Sequence, residues 1–576
     1  MQEKIWKFKN QHLTGSRIKQ MAEEYKLPPV IATILLNRGI EGASAVHSYL
    51  SKSMQAVHNP NGLTDMTAAV QRICTALSSG EKTVIYGDYD VDGITSTALL
   101  YSFLKSQGAN VSYYIPKRKE EGYGINIMAV NKLSKEGTKL LITVDCGITA
   151  VGEVEFARLQ GMDVIITDHH TCKEKIPKAV AVINPKRPDC EYPFDGLAGV
   201  GVAFKLVLAT AMELGLSTRE CFDQYVELAA VGTVADVVPL LDENRIIVDR
   251  GVASLTATKR PGLRALLEVS GADKRPLSAS TIAFTLAPRL NAAGRLSSAT
   301  TAVELLLETD PERALAIAKE LDGENKERQQ TEQKIYDEVL ELIAEDPNAP
   351  QKKVLVLAKE GWHQGVIGIV ASKINELYYR PCILISYENG VGKGSGRSIP
   401  SFNLFDALTH CEDLLSAFGG HAVAAGLSMN TSDLEAFTKK INDYANSVLK
   451  PEDLLPAVKI DCQIRPEDVT LVAAKLLTKL EPYGMGNEKP SFAIRQVQIT
   501  AIATMGVEDK HLRMRLASGN CVINAVGFQM GSYARRLQAG DLVDVAFSMD
   551  INHYQGTETV QLILKDIKKS NETQRG

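Results

Sequence analysis

Apolar and polar positions follow different periods in successive stretches of this chain. Thr83–Tyr86 (TVIY), Leu140–Val144 (LLITV) and Asp163–Thr167 (DVIIT) are short β-branched and aliphatic runs with almost no polar alternation. That pattern belongs to strands buried on both faces. The apolar run Ala98–Leu104 and the segment Ala150–Leu159 fit helices between them. Strands alternating with helices imply right-handed βαβ units and a parallel sheet. Residues 199–310 read as mainly helical, with GVGVAFKLVLATAMELG the clearest case. From Asp310 to Asp346 the chain is charged and helix-favouring apart from Gly323, which suits a long exposed helix or helix pair between two lobes. A second α/β unit follows, with strands Lys353–Leu357 and Cys382–Tyr387 around the helix GVIGIVASKINELYY. The last segments, from KIDCQI to TVQLILKDI, are short strands separated by Gly, Asn and Asp, the signature of a small β-barrel. EPYGMGNEKP (Glu481–Pro490) reads as a Gly/Pro-rich turn at the barrel's edge.

These patterns predict an α/β protein with two α/β lobes, a long helical linker and a C-terminal β-barrel. The expected divisions are a helical segment over 1–58, in which His47 and His58 are structural, and a first lobe with a helical second half over 59–309. A linker over 310–346, a second lobe over 347–452 and the barrel over 453–570 complete the chain.

The polar residues at the strand ends carry the chemistry. After Thr83–Tyr86 come Asp88, Asp90 and Asp92, closed by Gly93, with Thr95, Ser96 and Thr97 as caps for the following helix. Leu140–Val144 ends in Asp145, and Asp163–Thr167 ends in Asp168, His169 and His170. In a parallel sheet the carboxyl ends share one edge, where open α/β sheets bind their ligands. Three acidic clusters far apart in sequence therefore meet. No lysine or arginine lies within DYDVDG, so a hard divalent cation is the natural counter-charge. An imidazole among carboxylates favours manganese or a similar transition metal over calcium. Asp236, in GTVADVVPL, is a fourth acidic candidate. The donors suffice for two ions at roughly 3.5–4 Å separation, the arrangement used in phosphoester hydrolysis.

Composition adds limits. Apolar content of 45% and charged content of 23% are ordinary for a globular protein. With a net charge of −5, any attraction for nucleic acid has to come from local basic patches. The nine cysteines form no CxxC pair and read as reduced thiols of a cytoplasmic protein. The start, MQEKIWKFKN, is too polar for a signal peptide, and no run reaches membrane-span length. Candidate phosphate contacts are Arg118, in a basic loop leaving the strand Val111–Ile115, and Arg289 and Arg295, flanking NAAG in a Gly-bearing turn. GVGKGSGRS (Gly390–Ser398) reads as a glycine-rich loop whose amides could approach an oxyanion while Arg397 grips phosphate. His363 and Gln364 stand at a helix start, and His421 lies within FGGHAVAAG.

DYDVDG, VDCG, DHH and GTVADVVPL, in this order and spacing, resemble the four motifs of the DHH phosphoesterase superfamily. APRLNAAGRL (Ala287–Leu296) and FGGHAVAAG (Phe418–Gly426) extend the match, the latter as the signature of the accessory DHHA1 domain. Over nearly the whole chain the set is similar to the superfamily's bacterial single-strand-specific 5′→3′ DNA exonucleases. The resemblance implies two divalent cations, Mn2+ or Mg2+, held by Asp90, Asp92, Asp145, His169 and Asp236, with Asp145 bridging. It implies catalytic roles for Asp88, Asp145, His170 and Arg295, with Asp88 and His170 positioning water or the scissile phosphate. Substrate contacts fall to Arg118, Asn291, Ser395, Arg397 and His421, and less firmly Arg289. The barrel would be an oligonucleotide-binding fold, with His511, Arg513 and Tyr554 as contacts. The implied setting is a cytoplasmic monomer acting on single-stranded DNA in recombination and repair, with a single-strand-binding protein and a helicase as partners. Two other hydrolase readings fit less well. Enzymes for cyclic dinucleotides or very short RNA lack the helical middle and barrel, and pyrophosphatases lack FGGHAVAAG. Non-catalytic scaffolds of the superfamily lose metal ligands that this chain keeps.

Overall fold

The computed structural model describes residues 4–117, 121–122, 124–296, 298–554 and 556–570. It divides into two compact units, one of residues 52–331 with 482–488, the other of 1–51 with 332–481 and 489–576. The opening segment, expected to be helical throughout, begins with a strand, β1 (Ile5–Phe8), which belongs to the second unit.

The first unit is built on a parallel sheet of β2 (Thr83–Gly87), β3 (Val111–Tyr114), β4 (Leu140–Val144), β5 (Asp163–Thr167) and β6 (Ala181–Ile183), in the order β3-β2-β4-β5-β6. Every residue of β2 and β4 is buried, which is why both read as unbroken runs. Ile85, Ile142 and Ile165 pack into the core on one face, and Val84, Leu141 and Ile166 into the core on the other. The chain goes from β2 to β3 on one side and returns to β4 on the other, so the direction of winding switches at β2. Gly87 pairs with Val144 and Val144 with Thr167, so these three strands end level. The residues that follow them therefore emerge side by side.

Two local expectations are corrected here. The helix after β2 begins at Val91, earlier than Thr95–Thr97 would place it, because Asp90 is its cap: Asp90 Oδ1 accepts from the amides of Asp92 at 2.9 Å and Gly93 at 3.1 Å. Thr95 and Thr97 lie inside the helix and donate to Val91 O and Gly93 O, each at 2.7 Å. APRLNAAGRL is likewise a helix, Ala287–Leu296, entered through a π-turn at Ile282–Leu286. Its Leu290, Ala292 and Ala293 are buried, and small apolar side chains at helical spacing outweigh its one glycine.

Residues 311–345 form one 35-residue helix, Pro311–Glu345, started by Asp310 Oδ1 accepting from the amides of Glu312 and Arg313. It is less exposed than expected: Ala314, Ala318, Leu321, Asn325, Ile335 and Val339 form a buried stripe along it. No described helix is long and apolar enough to cross a membrane.

In the second unit, β7 (Leu355–Glu360), β8 (Cys382–Glu388), β9 (Val391–Arg397), β10 (Ala417–Gly420) and β11 (Ala424–Asn430) form a sheet in the order β10-β11-β9-β8-β7. GVGKGSGRS, expected as a loop, is the central strand β9. Its glycines alternate with larger residues, and an added Cβ on Gly392, Gly394 or Gly396 would press on Ile385, Leu427 or Leu404 at 2.7–2.9 Å. Lys393, Ser395 and Arg397 take the opposite face, so period two wins over glycine content.

The last part of this unit is rich in strands. These are β12 (Ala457–Ile460), β13 (Cys462–Gln463), β14 (Phe492–Met505), β15 (His511–Ser518), β16 (Cys521–Gly527), β17 (Leu542–Tyr554) and β18 (Thr557–Lys569). The order β14-β15-β16-β18-β17, with β17 pairing back to β14, closes a five-stranded barrel. β1 pairs in parallel with β12, and Trp6 Nε1 donates to Asp566 on β18 at 2.7 Å.

The first unit also encloses an ion pair. Lys205 is fully buried against Glu243, donates to His58 O at 2.8 Å and faces the ring of Tyr192, whose hydroxyl donates to Glu243 at 2.6 Å. Burial lowers the pKa of Lys205 and Glu243 opposes that shift. Removing one partner strands the other charge out of water. Lys205→Met should cost about 3–5 kcal/mol in urea unfolding, and Lys205→Met/Glu243→Met should recover most of it. Additive losses in the double variant would show that the pair is not the stabilising contact.

Candidate metal centre

The level ends of β2, β4 and β5 bring the acidic motifs together. Among the described residues, three overlapping groups each have ligand atoms within 4.8 Å of one another: Asp88, Asp90 and Asp145; Asp92, His169 and Asp236; and Asp145, His169 and His170. All seven of these residues were singled out from the sequence, and Asp145 and His169 each belong to two groups.

Different backbone elements aim each side chain. Asp92 sits in the first turn of its helix, and its two oxygens accept from Gly199 N at 2.6 Å and Val200 N at 2.7 Å. Those amides begin the helix Gly199–Glu213, so a helix N-terminus holds this carboxylate. Gly199 and Val200, in the GVG of this helix start, deliver the two amides. A side chain at 199 would strike Asp145, since a Cβ there would lie 2.6 Å from Asp145 Oδ1. Asp145 itself adopts a left-handed backbone, φ 59°, unusual outside glycine and common at functional turns. Asp236 ends the helix Thr218–Ala235.

Asp168 differs from the other acids. Its Oδ2 accepts from Ile148 N at 2.8 Å, and its Oδ1 from His169 N at 2.7 Å, His170 N at 3.0 Å and His170 Nδ1 at 2.7 Å. It is a bracket that orients both histidines. Burial works to raise its pKa, but these bonds, above all that from His170, bring it below the usual carboxylate value. Burial works to lower His170, yet the bond to Asp168 raises it, which favours a charged imidazolium at the rim of the site.

The electrostatics call for a cation. Asp92 and Asp145 are pushed well above the normal range, first by burial and then by the neighbouring aspartates. Asp236 rises to about 7 through burial and Asp90. Burial, with His170 beside it, drops His169 to about 3, so its ring is neutral and able to ligate. His169 Nε2 faces Asp145 Oδ1 at 3.1 Å, Asp236 Oδ2 at 3.6 Å and Asp92 Oδ2 at 3.8 Å. The closest of these approaches lacks hydrogen-bond alignment, and among the described residues neither Asp145 Oδ1 nor His169 Nε2 has a hydrogen-bond partner. Buried donor atoms that point at one another without bonding fit a metal ion between them.

The other candidates lie as follows. Asn291 and Arg295 are half-buried on the Ala287–Leu296 helix, which abuts the 88–92 loop: a Cβ at Gly294 would lie 2.5 Å from Tyr89 O. Arg289 on the same helix is taken up by Asp322 at 2.9 Å and Thr285 O at 2.7 Å, so it braces that helix and leaves no free fork for phosphate. Arg118 lies outside the described residues. In the second unit, Arg397 is half-buried and donates to Ser395 Oγ at 3.2 Å and Gly396 O at 2.8 Å, and burial lowers its pKa. Among the described residues no carboxylate pairs with it. A guanidinium in such a place suits an oxyanion. His421 is exposed at the β10–β11 turn, and its amide donates to Ala424 O beside the Ala424–Arg397 pairing.

Comparison with known proteins agrees with this picture. The chain matches the DHH family, N-terminal domain, over residues 82–233, the DHHA1 domain over 351–447 and the RecJ OB domain over 460–566. It is 39% identical to the single-stranded-DNA-specific exonuclease RecJ of Bacillus subtilis over 552 residues, 96% of this chain and 69% of that one. The crystal structure of Thermus thermophilus RecJ in complex with Mn2+ superimposes with a TM-score of 0.83 at 31% identity, over 99% of this chain and 79% of that one. The Mg2+ complex of the same protein gives 0.78 at 30% identity, over 99% and 78%.

A cation that relieves the repulsion should stabilise the fold by mass action, by about 2.7 kcal/mol at a hundredfold excess over Kd. Asp145→Asn should melt no lower than the parent in EDTA, because it removes a repelling group, yet should lose most of the rise in Tm that Mn2+ gives the parent. A variant that keeps the full rise would exclude Asp145 as a ligand.

Proposed function

The chain belongs to the RecJ family of single-stranded-DNA-specific exonucleases, and on that premise we propose that it hydrolyses the phosphodiester bonds of single-stranded DNA, one nucleotide at a time from the 5′ end, in recombination and repair. The observation that carries the chemistry is the meeting of Asp88, Asp90, Asp92, Asp145 and Asp236 with His169 and His170 at one sheet edge. Mn2+ or Mg2+ is the cofactor. Asp90, Asp92, Asp145, His169 and Asp236 are our assigned ligands for two ions, with Asp145 shared, and the overlap of the donor groups supports a pair. Bound cations supply Lewis acidity towards the phosphoryl group and lower the pKa of water.

The chain's own residues do the rest. Asp145 is held by its turn and Asp92 by two amides, so neither has to reorganise when the substrate arrives. His170, fixed through Nδ1 by Asp168, presents its other nitrogen as a donor to a phosphate oxygen. Asp88 orients the attacking water, and Arg295 and Asn291 steady the phosphate at the edge of the centre. Arg397, with Ser395, takes the terminal 5′ phosphate, a group with more charge than an internal diester. His421 completes that contact, and Arg118 is assigned a phosphate of its own. The barrel holds the strand by stacking and charge, with exposed Arg513 on β15 among its contacts. We infer that the chain acts as a cytoplasmic monomer alongside a single-strand-binding protein and a helicase. The nine unpaired cysteines support a reducing compartment.

With single strands labelled at either end, 5′ label should appear as mononucleotide from the first turnover while 3′ label stays on shortening chains. A charge-assisted bond of about 1.5–3 kcal/mol means that Arg397→Ala should slow 5′-phosphorylated strands about 10–100-fold, and 5′-hydroxyl strands much less. Equal losses on both substrates in single-turnover assays would make Arg397 a general backbone contact.

A further inference from the structure

The turn Pro482–Glu488 lies far along the chain, after the second α/β sheet and the start of the barrel region, yet it belongs to the unit that holds the metal centre. It is not the barrel-edge turn that its glycines and prolines suggest. It is self-braced: Gly484 and Asn487 exchange backbone hydrogen bonds at 3.0 and 3.1 Å, and the Asn487 side chain, fully buried, donates to Pro482 O at 2.6 Å. It docks on Pro239–Leu241. Met485 O accepts from Leu240 N at 2.8 Å. A Cβ at Gly484 would fall 2.7 Å from the buried Leu240 side chain, and one at Gly486 would lie 3.3 Å from both Leu241 and Pro239. Gly486 also has φ +71°, where side chains are disfavoured.

The gripped stretch begins three residues after Asp236. It is bracketed by two non-glycine residues in left-handed conformations, Val237 at φ 60° and Asp242 at φ 46°. A β-branched residue takes such a backbone only where its surroundings force it. Besides this turn, Asn244 holds the stretch, donating to Pro239 O at 3.0 Å and to Gly196 O at 2.7 Å. Gly196 lies three residues before Gly199, whose amide holds Asp92. Supports for two carboxylates of the centre therefore converge where residues 482–488 dock.

We propose that Pro482–Glu488 is a positioning loop for Asp236, which sets the affinity of the centre for its divalent cation. The inference rests on the metal-centre reading above. The geometry makes the loop an outer brace that fixes the chain just after Asp236, where Val237 takes its left-handed backbone. Loosening it should change how tightly the cation is held, by about 10–100-fold as for other outer supports of metal ligands, and leave the chemistry intact once the cation is saturating.

The test uses the full-length chain and its Gly484→Ala and Gly486→Ala variants, with Mn2+ uptake read from the electron paramagnetic resonance signal of the free ion. We expect Mn2+ binding about 10–100-fold weaker in both variants, kcat restored at high Mn2+, and unchanged affinity for single-stranded DNA. Gly484→Ala/Leu240→Ala should regain ion affinity relative to Gly484→Ala, because shortening Leu240 clears the clash. Gly486→Ala, with the looser contacts, serves if Gly484→Ala does not fold. Folded variants that bind Mn2+ as tightly as the parent would overturn the proposal, as would a loss of kcat that saturating Mn2+ leaves unrepaired. A parent chain that takes up no Mn2+ would overturn the metal-centre reading itself, a separate and visible failure.

Discussion

Carboxylates gathered in overlapping groups and largely shielded from water repel strongly, and the architecture around the edge of the parallel sheet answers that repulsion. Asp92 is offset by the first amides of a helix, Asp168 by three amides and an imidazole, and Asp90 by the amides of the helix it caps. Asp145 and Asp236 have no such backbone support among the described contacts, and both are pushed upward, Asp236 to about 7. The residual charge sits where His169 offers a neutral nitrogen. That imbalance is what a divalent cation corrects, and it is why the region reads as a metal centre and not as an acidic surface.

Much of this was legible before any coordinates. Parallel strands deliver their carboxyl ends to one edge whatever the intervening sequence does, so three acidic motifs at three buried runs had to converge. The barrel was legible for a similar reason, because β15 alternates buried and exposed positions residue by residue. Composition misled where it competed with period. GVGKGSGRS looked like a loop because it is rich in glycine, but Gly392, Gly394 and Gly396 fall on every second residue, where neighbouring side chains leave no room for a Cβ. NAAG looked like a turn, but the spacing of Leu290, Ala292 and Ala293 buries one side of a helix.

What stayed hidden was support by backbone groups, which one-dimensional patterns do not encode. Nothing in GVGVAF says that two amides will meet a carboxylate more than a hundred residues upstream. Nor does YGMGN announce that it will dock on VPLL. The role of Asp168 is of the same kind: only its four accepted hydrogen bonds identify it as a bracket beside the two histidines.

Every role assigned to this edge depends on cations binding there. Crystals grown with Mn2+ and measured at the manganese absorption edge give an anomalous difference map that locates each ion without reference to activity. Two peaks are expected roughly 3.5–4 Å apart among Asp90, Asp92, Asp145, His169 and Asp236, with Asp145 in contact with both. A single peak away from Asp145, or none among these residues at saturating Mn2+, would contradict that assignment.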